Sequence, residues 1–189
     1  FTQRSAANMR LFISGSAPLS ADIHRAFEQR SGHRVLERYG MTETGMLTSN
    51  PYDGERRAGF VGQPLPGVEL RIAEFETGRV LPQGEVGIVE VKGPNIFAGY
   101  WQMPEKTAEA FDEEGFYRLG DAVKFVDPAN PEKGLAFDGR TVEEFKLASG
   151  TWVSAGAVRM AAVTASGGIL SDAIVCGLNR DEIGLLGFL

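Results

Sequence analysis

Arg34-Val35-Leu36-Glu37-Arg38-Tyr39-Gly40-Met41-Thr42-Glu43 is the stretch that decides the fold of this 189-residue chain. Residues 34–38 read as a short strand. The five residues that follow bring four kinds of chemistry together. Tyr39 offers a flat aromatic face, and Gly40 admits a tight turn or a close backbone approach. Thr42 offers a hydroxyl, and Glu43 offers a carboxylate suited to a hard cation such as Mg2+. A purine, a phosphate and a metal are what such a set suits. Taken alone, the five residues read first as a strand ending in an ordinary polar turn, because short motifs recur by chance. Their surroundings alter that weighting.

Upstream, Leu11-Phe12-Ile13 is a short apolar run of the kind found in buried strands of parallel sheets. The small-residue turn Gly15-Ser16-Ala17-Pro18 follows. Ser20 is placed to cap a helix running to about Ser31, with Ile23, Ala26 and Phe27 sharing one helical face, and Gly32 ends it. Strand, helix and strand make a β-α-β unit, for which a right-handed crossover is the rule. Ligands of open α/β sheets sit beyond the carboxyl ends of the strands. The order of the elements therefore sets Gly15-Ser16-Ala17-Pro18 beside Tyr39-Gly40-Met41-Thr42-Glu43. His24 and His33 are expected on the surface of the first helix and its exit, with no metal-ligand spacing around them.

Downstream the texture changes. Residues 50–82 are rich in Gly and Pro, and residues 68–72 and 86–92 alternate apolar with polar. Hairpin connections are expected at Gly78-Arg79-Val80 and at Leu81-Pro82-Gln83-Gly84-Glu85. This part reads as a small antiparallel sheet or barrel. A helix over 104–111 has Pro104 in its first turn, and strands are expected at 122–126 and 135–138. A polar loop at 127–134 separates them. The natural boundary lies at Gly139 or Arg140. Beyond it, Phe145-Lys146-Leu147 and Trp152-Val153-Ser154 flank a turn, a helix is expected over 158–163, and strands over 172–177 and 183–189.

The net charge of −6 argues against a nucleic-acid surface or a polybasic membrane patch. A single cysteine, Cys176, rules out an internal disulfide. It lies in an apolar run, where a small buried hydrophobe is expected rather than a nucleophile. Trp101 and Trp152 are expected to be packing residues. No run is long and apolar enough to span a bilayer, and a cytoplasmic setting is the default expectation. The start is not a signal peptide, and both ends read as cuts in a longer chain.

In this order, the motifs resemble the adenylate-forming acyl-CoA synthetases, the AMP-binding superfamily of acyl-CoA ligases, luciferases and peptide-synthetase adenylation domains. The likeness is carried by Gly15-Ser16-Ala17-Pro18, Tyr39-Gly40-Met41-Thr42-Glu43, Gly84-Glu85-Val86-Gly87 running to Gly93-Pro94 and Gly99-Tyr100-Trp101, Tyr117-Arg118-Leu119-Gly120-Asp121, and Gly139-Arg140. It implies an α/β fold: the end of a large α/β domain with a small antiparallel β subdomain (1–139), then the hinge and start of a small α+β C-terminal domain (140–189). It also implies roles. Gly15, Ser16, Ala17 and Pro18 would line the adenine and acyl pocket, Tyr39 would pack on adenine, and Gly40 and Met41 would complete that wall. Thr42 would hydrogen-bond phosphate and Glu43 would hold Mg2+. Asp121 would accept the ribose hydroxyls and Arg140 would contact the ribose, with Val142 near the pivot of domain rotation. Outside this set, Asp121 reads as a turn cap and Arg140 as a surface ion-pairing residue. Lys146, in Lys-Leu-x-x-Gly, divides evenly between a nucleotide or coenzyme A phosphate contact and a solvated side chain. The implied ligands are ATP or AMP, Mg2+, coenzyme A and a small carboxylic acid.

Within the superfamily, residues 11–121 look like malonyl-CoA or methylmalonyl-CoA synthetases, and residues from 134 onward look like feruloyl-CoA synthases. A small dicarboxylate such as malonate is the favoured acid, with an aromatic acid such as ferulate second. The side chain that would pair with the second carboxylate is not identifiable in the sequence. The family's Gly-rich phosphate loop and its late catalytic lysine match no segment here. The chain alone is therefore expected not to catalyse adenylation. Two readings follow, a piece of an acid–CoA ligase and a non-catalytic nucleotide-binding remnant or hybrid of two related ligases.

Overall fold

In the computed structural model the described residues are all but 18, 75–76, 83–84, 126, 128, 130–133 and 141–143, and over 137–140 the backbone alone is described. Pro18, Gly84 and Val142 thus lie outside the described residues, as does the side chain of Arg140. The chain divides into two compact units, Phe1–Leu119 with Val123–Phe137, and Gly120–Ala122 with Asp138–Leu189.

The first unit opens with a short helix α1 (Gln3–Ala6), strand β1 (Ile13–Ser14), helix α2 (Ala21–Ser31) and strand β2 (Leu36–Met41). Strand β1 pairs parallel with β2, Ile13 opposite Leu36 and Ser14 opposite Glu37. The expected β-α-β unit is present. Ser20 caps α2 by accepting the Ile23 N–H at 3.2 Å, and Gly32 ends it in the left-handed region at φ 74°. The buried face of α2 differs from the expected one: Ile23 is 60 % exposed and Ala26 is exposed, whereas His24 and Ser31 are buried. His24 Nε2 lies 3.1 Å from the Val35 carbonyl oxygen, and His33 Nε2 lies 3.1 Å from that of Ala6. His24 is thus not the surface residue expected, because its ring finds a backbone carbonyl that offsets its desolvation, whereas His33 is half-buried.

Strand β3 (Gly45–Ser49) folds back antiparallel on β2, and β4 (Gln63–Pro64) pairs with β3, giving the order β1-β2-β3-β4. A second sheet has the order β5-β6-β7-β8, with β5 (Glu69–Ala73), β6 (Gly87–Lys92), β7 (Tyr117–Phe125) and β8 (Leu135–Arg140). Helix α3 (Pro104–Ala110) interrupts it in sequence. Strands β5 and β6 are antiparallel, as their alternation predicts, with Arg71 opposite Glu90. The core of this unit is Leu47, Ile72, Val89, Val91, Tyr117, Leu119, Val123 and Leu135. Leu47 comes from the first sheet and the others from the second, so the two sheets share one core.

The second unit holds β9 (Glu144–Lys146) antiparallel to β10 (Trp152–Ser154), helix α4 (Ala155–Ala165), and β11 (Asp172–Cys176) antiparallel to β12 (Gly184–Phe188). Ala173 is buried, whereas Cys176 is exposed, its Sγ 3.5 Å from the Gly184 carbonyl oxygen. The expectation of a buried thiol fails because the β11–β12 hairpin has an open face. Among the described residues no helix is long and apolar enough to cross a membrane.

Candidate functional site

Strand β2 carries its backbone past residue 38, where the sequence suggested a turn, and through Tyr39, Gly40 and Met41. Only residues 42–44 form the loop. Thr44 donates its N–H to the Met41 carbonyl at 3.2 Å, and Gly45 follows at φ 58°. This is a three-residue hairpin loop, a tight turn closed by a residue in the left-handed region, where glycine carries no Cβ penalty. The register shifts between Tyr39 and Gly40. The bulge re-aims the strand just before the loop.

Thr44, fully buried, locks the loop. Its Oγ1 accepts the Met41 N–H at 3.2 Å and lies 3.0 Å from the Gly45 carbonyl oxygen. The Glu43 carbonyl accepts the Phe97 N–H at 2.8 Å, and Asn95 Nδ2 donates to the carbonyls of Thr44 and Met46 at 2.7 and 3.1 Å. With its backbone pinned from behind, the loop presents Thr42 exposed and Glu43 half-buried. No hydrogen bond or ion pair among the described residues engages the Thr42 hydroxyl or the Glu43 carboxylate. Tyr39 is half-buried and packs against the core.

The turn after β1 stands beside this hairpin. Gly15 is where it is because a Cβ there would meet the Arg38 carbonyl oxygen at 3.3 Å and the Arg38 side-chain Cγ at 3.6 Å. Ser16 sits at φ 70°, a conformation rarely adopted by a residue with a side chain. Arg38 is exposed, its stem lies over Gly15, and no carboxylate among the described residues pairs with it. The Arg38 side chain, from the middle of β2, thus lies beside the turn after β1 that carries Ser16. Arg38 was passed over in the sequence, although a charged residue directly before the Tyr-Gly pair was its one signal.

Residues 1–101 match the family of AMP-binding enzymes. The chain belongs to that family. The chain is 48 % identical over 118 residues to a malonate–CoA ligase of Arabidopsis thaliana, covering 62 % of this chain and 19 % of the relative. It is 40 % identical over 138 residues to a mitochondrial malonate–CoA ligase of Bos taurus, covering 63 % of this chain and 24 % of the relative. Among solved structures, the ATP-bound MatB of Rhodopseudomonas palustris superposes with a TM-score of 0.84 at 42 % identity, covering 98 % of this chain and 36 % of that one. The chain therefore spans about a fifth of the length of the curated relatives it matches and about a third of the solved one.

Of the other residues singled out, Asp121, Arg140, Lys146 and Trp152 lie in the second unit. Asp121 is half-buried on β7. Arg140 ends β8. Lys146 ends β9 with its Nζ 4.6 Å from the centre of the Trp152 ring, a cation–π arrangement. Trp152 is 51 % exposed and Trp101 is 87 % exposed, so neither is the packing residue expected. The first unit holds Gly15, Ser16, Ala17, Tyr39, Gly40, Met41, Thr42 and Glu43. Among the described residues, no three His, Cys, Asp or Glu side chains are grouped to hold a metal.

Proposed function

We propose that this chain is part of an ATP-dependent carboxylic acid–CoA ligase that works through an acyl-adenylate, with malonate as the acid. The observation that carries this reading is the pinned hairpin tip, where no hydrogen bond or ion pair among the described residues engages the Thr42 hydroxyl or the Glu43 carboxylate, beside Arg38, with which no carboxylate among the described residues pairs. One carboxylate of the acid attacks the α-phosphorus of ATP and pyrophosphate leaves. The coenzyme A thiol then attacks the acyl carbonyl, and AMP leaves with the bonding pair of the broken C–O bond.

Tyr39 packs on adenine, backed by Gly15, Ser16 and Ala17, and Gly40 and Met41 complete that wall. Thr42 donates to a phosphate oxygen. Glu43 is the residue that would hold Mg2+, which would supply neutralisation of the triphosphate charge. Asp121 accepts the ribose hydroxyls, Arg140 contacts the ribose, and Lys146 leaves Trp152 to meet a phosphate of nucleotide or coenzyme A. Arg38 pairs with the second carboxylate of malonate, assisted by Ser16. A planar guanidinium matches a carboxylate with two parallel hydrogen bonds. In this reading residues 1–139 close the large domain and residues 140–189 open the small one, in a cytoplasmic enzyme.

The alternative, a nucleotide-binding remnant without ligase chemistry, shares the same pocket. Equilibrium titration with AMP tests what the two share. Wild-type chain should bind AMP and Asp121→Ala should lose at least about tenfold in affinity, the worth of hydrogen bonds to a charged acceptor. Equal binding by both would overturn the role given to Asp121. A folded wild type that does not bind AMP would overturn the pocket.

A further inference from the structure

Behind the hairpin lies a buried titratable group that the proposed chemistry does not use. Glu37 is 5 % exposed on β2. Its Oε1 accepts the backbone N–H of Gly59 at 3.1 Å and lies 4.0 Å from Nε2 of His24, itself 2 % exposed. The Glu37 carbonyl accepts both the backbone N–H and the side-chain Nδ2 of Asn50, each at 3.0 Å. The same Nδ2 donates to the Phe60 carbonyl at 2.6 Å. A single residue thus joins helix α2, strand β2, the residue after β3 and the loop at 59–60.

A carboxylate in such a place is expensive. Leucine there would bury without a desolvation cost, so stability alone does not account for it. What a fully bonded buried polar group supplies is a unique geometry. Residues two apart on a strand share a face, so Glu37 anchors the face from which Tyr39 projects. Its strand partner Ser14 precedes Gly15 and Ser16, so the anchor also stands at the root of the neighbouring turn.

We propose that Glu37 is a positioning residue of the hairpin: its carboxylate ties β2 to Gly59 and His24 and so fixes the orientation of Tyr39, and its protonation loosens that tie. The proposal rests on reading residues 39–43 as the nucleotide contact. Burial, only partly countered by the Gly59 N–H and by His24, holds the carboxyl above its ordinary range and so raises the pH at which the tie loosens. Among the described residues His24 is the titratable group that faces it, while the β3 and loop partners, Asn50, Gly59 and Phe60, are uncharged.

The test follows backbone amide resonances of Gly59 and Tyr39 by NMR in the full chain without ligand, as pH is lowered. AMP affinity is measured at the same pH values. In wild type the two resonances should move together with one midpoint, and AMP affinity should fall about fivefold through it, the difference between a charged and a neutral hydrogen bond. Glu37→Gln keeps an oxygen for the Gly59 N–H but cannot ionise. It should abolish both titrations and bind AMP with a weak, pH-independent affinity. Gly59 moving while Tyr39 stays still would overturn the proposal, as would co-titration persisting in Glu37→Gln, which would assign it to His24. If wild type binds no AMP, the functional reading fails, and co-titration of the two resonances still decides whether Glu37 positions Tyr39.

Discussion

Gly40 packs so closely against the Gly45 backbone across the β2–β3 hairpin that a Cβ on Gly40 would clash with the Gly45 carbonyl oxygen. The obstacle is backbone, which cannot swing away as a flexible side chain would. Gly40→Ala is expected to cost about 3 kcal/mol, the upper end for overpacking. Chemical denaturation measures this. Gly45→Ala meets no neighbour, only its φ of 58°, and should cost about 1 kcal/mol. Equal costs would contradict the steric account.

Arg38 is the residue on which acid selectivity should turn. Non-hydrolysable malonyl-adenylate and acetyl-adenylate analogues differ by one carboxylate. Wild type should prefer the malonyl analogue, and Arg38→Ala should lose about tenfold or more of that preference with little change toward the acetyl analogue. A preference unchanged in Arg38→Ala would remove Arg38 from the acyl pocket.

Glu90 concentrates the electrostatics of the second sheet. It is fully buried between Arg71 Nε at 2.7 Å and Arg118 Nε at 3.2 Å, while Arg71 also pairs with Asp112 and Glu114. Burial alone would lower the Arg71 pKa, but Glu90, with Asp112 and Glu114, outweighs it and raises the value. Glu90→Ala leaves a half-dry guanidinium without its nearest partner and should cost about 3 kcal/mol. Glu90→Leu combined with Arg71→Met should recover only part of it, because Arg118 and the nearly buried Asp112 then lose their partner. Thermal melts of both variants distinguish this from simple loss of packing.

Stability should also depend on pH through Glu37. Its folded carboxyl titrates above the ordinary value of 4.5, chiefly because burial disfavours the ion. The folded state then holds its proton longer than the unfolded state. The stabilisation is fully present below 4.5 and is lost as pH rises through the folded value. Unfolding free energies at successive pH values should show that decline in wild type and none in Glu37→Gln. A wild-type curve rising over the same window would mean that the carboxyl titrates low.

Arg56 holds residues 51–56 against the first unit by donating to the carbonyls of Pro51 at 3.1 Å and Arg34 at 2.9 Å, and to that of Tyr52. Arg56→Ala should raise amide hydrogen exchange in residues 51–58 while leaving β6 and β7 protected. Uniform exchange across the unit would mean that the loop is not separately held.

What the sequence determined by itself is local. Ser20 and Gly32 mark the ends of α2 because capping and left-handed termination depend on neighbouring residues alone. The alternation in residues 68–72 and 86–92 marks β5 and β6 because strand periodicity is also local. Strand, helix and strand in succession place the Gly15 and Tyr39 turns side by side, and the ordered motifs give the family. Tertiary structure alone decided which face of α2 is buried, since His24 goes inside only because the Val35 carbonyl and Glu37 wait there. It also decided that β2 continues through Met41, because β3 returns along it. Among the described residues no carboxylate pairs with Arg38, and Glu37 is held by Gly59, 22 residues away in the chain. These are long-range pairings of polar groups. A polar residue's period says that it tends to face water, and only the packed chain reveals which partner makes its burial tolerable.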